Sequence, residues 1–177
     1  MKKFTFLFLV LFAFSLQGQV KWMSLEEAFA AQKNAPRKIF IDFYTDWCAP
    51  CKIMDKNTYT NTVISEYLND YYYPVKFNAE GKDAVTAFGR SFGNDGYTKS
   101  AKKNTMHEFT KYMNVNAVPS AVLLDEIGDP ITILQGALTA KELEPYVFLI
   151  ATDEYKKVQN REQWENFQKK FKSKIRD

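Results

Sequence analysis

Cysteine and histidine are almost absent from this chain. Its 177 residues hold two cysteines and one histidine, too few for a fold stapled by several disulfides or for a zinc site of the usual Cys and His ligands. An excess of either charge is lacking too, since 24 basic side chains face 21 acidic ones. Without Lys2 and Lys3 the basic count falls to 22, a balance that gives no electrostatic footprint for nucleic acid, and none is expected as a partner. No internal repeat or low-complexity tract interrupts the chain, and its longest apolar run is too short to span a bilayer comfortably.

That run lies at the start. Lys2 and Lys3 precede the apolar stretch Phe4 to Leu16, and small or polar residues follow from Ser15 to Gln19, the pattern of a secretory signal peptide cut near Gly18. The expectation is a signal over residues 1–18 and a single domain over 19–177, in a periplasm or secreted; the other reading is an uncleaved membrane anchor. No cysteine lies near the cut, so a lipid anchor is not expected. About 160 residues are enough for one core and hardly two.

The cysteines sit three apart, in Trp47-Cys48-Ala49-Pro50-Cys51-Lys52. A pair in an exported protein ordinarily suggests a structural disulfide, but a loop closed over two residues removes little unfolded-state entropy and makes a poor staple. The preceding run Ile39 to Tyr44 is β-branched and aromatic and predicts a buried strand. Such a strand delivers Cys48 to a helix N-terminus, where unpaired N–H groups and the helix dipole favour a thiolate. Pro50 suits the first helical turn.

Along the rest of the chain, Ser24 and Glu27 form a capping box for a helix ending near Ala35. The polar stretch Asn57 to Thr62 predicts a break after the cysteine helix. A second helix then carries Val63, Ile64, Tyr67, Leu68 and Tyr71, and Tyr72 to Asn78 predicts a strand parallel to the first. Residues 80–105 hold four of the seven glycines and predict a surface insertion, with a Val85 to Phe92 hairpin that has Gly at its first turn position. Met106 to Tyr112 predicts a short helix, with His107 as a solvated helix-start residue. Ser120 to Asp125 and Ile131 to Leu134 predict an antiparallel hairpin, and Thr139 with Glu142 caps a helix reaching about Thr152, whose Pro145 is expected to delay its start or bend it. Residues 160–175 predict an amphipathic helix with Trp164, Phe167, Phe171 and Ile175 on one face. It reads either as a basic helix resting on a membrane surface or, preferably, as cover for its own domain.

Three separated features carry a resemblance to the thioredoxin superfamily: the strand Ile41-Asp42-Phe43-Tyr44 leading to Trp47, the Cys48-Ala49-Pro50-Cys51-Lys52 motif, and Val118-Pro119-Ser120 before a strand hairpin. The resemblance implies an α/β thioredoxin fold, a central mixed sheet flanked by helices, here with an inserted hairpin and an extra C-terminal helix. It also implies a thiol-disulfide oxidoreductase without a bound cofactor, in which Cys48 attacks a substrate disulfide and Cys51, less exposed, resolves the mixed disulfide. By similarity Asp42 is the buried carboxylate that moves a proton to or from Cys51, and Lys76 is its companion; the other reading of Asp42 is an ordinary strand-end charge.

Trp47, Ala49, Pro50, Val118 and a cis Pro119 are the expected substrate groove, with core packing the other role for Trp47. The implied partners are exported proteins carrying disulfides or thiols, together with a membrane electron donor if the protein is a reductant. Reduction is the expected direction, because Ala49 and Pro50 bring no charge or histidine to stabilise a thiolate further. The reading from another class is a thioredoxin-fold binding or chaperone module whose disulfide is not catalytic. No metal is expected, since the cysteines lack further ligands nearby.

Overall fold

Strand β1 (Lys38–Tyr44) is buried along almost its whole length, and the two halves of the core are built from its two faces. The computed structural model describes residues 18–176, so the apolar run assigned to a signal lies outside the described residues up to position 17. Side chains alternate along a strand. Ile39, Ile41 and Phe43 accordingly join one apolar cluster, and Phe40 joins the other.

The first cluster is closed by helix α1 (Leu25–Asn34), whose Ser24–Glu27 capping box is formed. The second is closed by α2 (Ala49–Asn57) and α3 (Thr62–Tyr71). Asn61 caps α3 by accepting from the amides of Val63 and Ile64, which accounts for the break expected in that stretch. Strand β2 (Tyr72–Asn78) then pairs with β1 in parallel, Asp42 beside Lys76.

The strands β3 (Val85–Ala87) and β4 (Arg90–Phe92) form the expected hairpin, but its turn differs. Phe88, not glycine, takes the first turn position with φ 53°, and Gly89 follows with φ 72°. A left-handed Phe is strained. Its ring packs edge-on against Phe29 at 5.1 Å and tilted against Tyr112 at 5.5 Å, contacts that hold it there. Nor is the hairpin merely a surface feature. Ala87 and Phe92 are buried in the first cluster, and Phe92 meets Phe109 edge-on at 5.4 Å.

Phe109 belongs to α4 (Glu108–Tyr112). Its N-cap His107 is buried, not solvated: Nδ1 accepts from Phe109 N, Nε2 faces the Asp83 carbonyl at 3.1 Å, and the ring meets Phe77 edge-on. An aromatic ring with both nitrogens satisfied by main chain can enter a core at little cost.

Strands β5 (Ser120–Leu124) and β6 (Pro130–Gln135) complete the mixed sheet in the order β2-β1-β5-β6. Helix α5 (Ala140–Ala151) starts directly after its Thr139 cap, so Pro145 does not delay it. The Thr139–Glu142 capping box and burial of Leu143, Val147 and Ile150 hold the helix despite the missing N–H. Helix α6 (Arg161–Lys170) ends earlier than its apolar period suggests, because Phe171 is extended. It covers α5: Trp164 stacks on Tyr146 at 4.7 Å and Phe167 on Phe148 at 6.3 Å. Beyond it, the buried Glu144 carboxylate accepts from Lys174 N at 2.7 Å and from the Ser173 hydroxyl, and Ile175 packs on the second cluster. Among the described residues no helix is long and apolar enough to cross a membrane.

Because Phe92 is fully buried, Phe92→Ala is expected to cost about 3–5 kcal/mol in urea unfolding. A hairpin lying only on the surface would lose less than about 0.5 kcal/mol.

Candidate active site

The C-terminal end of β1 brings the expected residues to one edge of the sheet. Tyr44 O accepts from Ala79 N at 2.8 Å, and the turn that follows is closed by Cys48 N donating to Thr45 O at 3.1 Å. Cys48 is thereby the N-cap of α2, with Ala49 and Pro50 exposed in the first turn. Its sulfur is bonded to that of Cys51 (Cα–Cα 5.4 Å) and accepts from Cys51 N at 3.2 Å. No acidic residue occupies the first turn of α2, so nothing there opposes negative charge on the Cys48 sulfur.

The expected contrast in exposure is absent. Cys48 is 2 % and Cys51 3 % exposed, and both sulfurs are engaged in the Cys48–Cys51 bond. Pro119 belongs to the same edge: Ser120 is the register partner of Phe43, which places the residue before it beside the end of β1. The Val118–Pro119 bond is cis, and Pro119 O accepts from Gly136 N at 2.9 Å. Pro119 is buried and Val118 half-buried.

Asp42 faces the side of α2 and is buried. Its Oδ2 receives Lys76 Nζ at 2.8 Å, and its Oδ1 accepts from the Tyr59 hydroxyl at 2.9 Å. The strand pairing explains the first contact, and the neighbour on the other side, Ala121, is small enough to leave room. Lys76 also contacts Asp55, on α2 one turn beyond Cys51. The Trp22, Tyr44 and Tyr59 rings surround the ammonium at 5.1–5.3 Å.

Burial pushes the Asp42 carboxyl above its ordinary value despite the pull of Lys76 and Tyr59. Burial pushes Lys76 down, but Asp42 and Asp55 outweigh it and leave the ammonium raised. Tyr59 is raised well above its usual value by burial and by Asp42, so it remains a donor. Sequence reasoning missed Tyr59 and Asp55. Tyr59 lies inside the polar break, where only its lone aromatic ring signalled burial.

Trp47 is 40 % exposed and is tied to residues 80–105. Its indole N–H donates to Glu80 Oε2 at 2.9 Å, the same oxygen accepts from Asn104 N at 2.7 Å, and the Lys103 ammonium lies 4.2 Å above the ring. Asn94 draws the ends of this segment together, donating to the carbonyls of Gly81 at 3.0 Å and Thr105 at 2.9 Å. A cleft of about 480 Å³ lies between the segment and the cysteine turn, lined by Tyr44, Trp47, Tyr97 and Lys102 among others. Among the described residues no cluster of three or more His, Cys, Asp or Glu is placed to hold a metal.

A family model described as a thioredoxin-like domain matches residues 25–151. The thiol:disulfide interchange protein DsbD of Haemophilus ducreyi is 28 % identical over 120 residues, covering 67 % of this chain and 17 % of that protein. The protein of the same description from Photorhabdus laumondii is 33 % identical over 49 residues, covering 28 % of this chain and 8 % of that one. The chain therefore matches only a small part of the length of these curated relatives. Two solved structures share the fold: a thioredoxin from Thermus thermophilus (TM-score 0.56, 15 % identity, 76 % of this chain and 89 % of that one) and a thioredoxin-fold protein from Helicobacter pylori (0.57, 14 %, 81 % and 93 %). A putative disulphide-isomerase from Bacteroides thetaiotaomicron shares it as well (0.52, 23 %, 75 % and 93 %).

A carboxyl raised on folding binds its proton more tightly in the native state, so its contribution to stability is full below the ordinary carboxylate range and is lost as pH rises through the raised value. Asn mimics the neutral acid, and Lys76 keeps Asp55. Asp42→Asn is therefore expected to be more stable than the parent at neutral pH, by about 1.4 kcal/mol per unit of upward displacement, with the gain vanishing near pH 4. Urea unfolding at both pH values checks this; a loss at neutral pH would contradict it.

Proposed function

The chain belongs to the thioredoxin-like domain family, and on that premise we propose that it is a protein thiol-disulfide oxidoreductase working outside the cytoplasm on exported proteins. The observation that carries this is the Cys48–Cys51 pair at the mouth of α2, with the Cys51 amide aimed at the Cys48 sulfur. A negative sulfur gains from that amide and from the dipole behind it. The name thiol:disulfide interchange protein, borne by the H. ducreyi relative, supports the same chemistry.

In the reduced protein the Cys48 thiolate attacks a substrate disulfide, forming a mixed disulfide and releasing the first substrate sulfur as a thiolate. Cys51 then loses its proton to the Asp42 carboxylate and attacks the Cys48 sulfur. The Cys48–Cys51 bond forms, the second substrate sulfur leaves with the electron pair, and the substrate has been reduced by two electrons while the protein has been oxidised by two. Lys76 steadies Asp42 in its ionised form. Trp47, Ala49 and Pro50, exposed around the sulfurs, and the Val118–Pro119 loop at the same edge form the groove in which an extended substrate segment pairs with the Val118 main chain.

Reduction is the proposed direction, since Ala49 and Pro50 add no charge to stabilise the thiolate, and a membrane partner supplies the electrons. Export rests on the sequence of residues 1–18, read as a removable signal before one domain over 19–177.

The domain, kept reduced with dithiothreitol, is expected to reduce insulin disulfides, and Cys48→Ser to abolish this; activity retained in that variant would contradict the assignment. Cys51→Ser is expected to accumulate mixed disulfides with exported proteins, resolved by non-reducing electrophoresis. A variant that binds partners without any thiol-sensitive adduct would instead mark a binding module.

A further inference from the structure

We propose that Asp55 is a positioning residue for the proton step: it shares Lys76 with Asp42 and holds the ammonium when Asp42 takes up the Cys51 proton and loses its charge. The proposal rests on the Cys48–Cys51 redox reading above and assigns a role to a residue outside the motif.

Two carboxylates meet one cation here. Lys76 lies against Asp42 Oδ2 at 2.8 Å and against Asp55 Oδ1, and three donors on one ammonium can serve both. The carboxylates differ in access: the Asp42 side chain is 3 % exposed and that of Asp55 42 %. With both ionised the trio carries a net negative charge beside a buried carboxylate; one added proton makes it neutral. Desolvation favours the state without excess charge, and the buried member, Asp42, gains most by taking the proton. If Asp55 were neutral, Lys76 and Asp42 would balance each other, and Asp42 would have less reason to accept one.

The remaining groups facing Asp42 fit this role. Tyr59, after α2, donates to Oδ1 at 2.9 Å, and Tyr44, on β1, is half-buried beside Lys76. A cleft of about 290 Å³ lined by Trp22, Asp55, Tyr59 and Lys76 opens onto two of the three, Lys76 and Asp55, so water can reach them without crossing the cysteine turn. Asp42 gives up its proton again after the Cys48–Cys51 bond has formed and the substrate thiolate has left, with the solvent as the final acceptor. The sulfurs alone are oxidised; the trio only moves a proton.

The test is a carboxyl NMR titration of Asp42 in the reduced domain, with Asp42→Asn assigning the signal, beside the pH profile of the mixed-disulfide resolution rate. Asp55→Asn is expected to lower the Asp42 midpoint by roughly one pH unit, to move the acid limb of the rate profile the same way, and to slow resolution severalfold at neutral pH. Asp55→Glu is expected to restore all three. A midpoint that stays put or rises in Asp55→Asn, with the parent active, would overturn the role of Asp55 alone. A parent without disulfide exchange would overturn the redox reading, and the role with it, even if the midpoint moves.

Discussion

A carboxylate in a buried strand of the sheet constrains everything around it. Asp42 lies in β1 between residues that are fully buried, where an unpartnered ionised carboxylate costs several kcal/mol. Its partners come from three parts of the chain: Lys76 from β2, Tyr59 from the break after α2, and the small Ala121 from β5. The pairing register is therefore tied to the site. A slip of β2 by one residue would set Val75 or Phe77 beside Asp42 and turn Lys76 to the opposite face.

The sulfur pair depends on the same strand. β1 ends at Tyr44, the turn after it closes on Thr45, and Cys48 begins α2 within hydrogen-bond reach of the Cys51 amide. On the outer side Trp47 is held through Glu80 to Asn104. The segment that supplies these contacts is anchored by Phe92 and by α4, whose N-cap His107 N donates to Ala79 O at 2.8 Å. What looks in the sequence like an addition to the fold thus holds one wall of the cysteine turn.

Most of the architecture was legible because its signals are local: the β-branched run of β1, the capping boxes at Ser24 and Thr139, and the turn between β5 and β6. The placing of Cys48 at a helix start followed from the strand before it, and the pairing of Asp42 with Lys76 followed from resemblance; their register partnership appears only in the structure. What was not legible depends on long-range packing. His107 looks like a polar cap until Phe77 and the Asp83 carbonyl enclose it. Phe88 accepts a conformation suited to glycine because distant rings receive it. Phe171 and Ile175 continue a helical period, yet the chain leaves the helix at Phe171 and its tail is held by Glu144, on α5. Asp55 and Tyr59 gain meaning only once Lys76 is seen to serve two carboxylates.

Everything proposed for this site requires that the Cys48–Cys51 bond be made and broken in use, and in the reducing direction. Equilibrating the domain with dithiothreitol and glutathione buffers measures its reduction potential directly. A reductant of this construction is expected between about −200 and −270 mV. A potential near −120 mV would make it a strong oxidant and contradict the proposed direction, and one below about −300 mV would make the bond a fixed structural link and contradict the redox function itself.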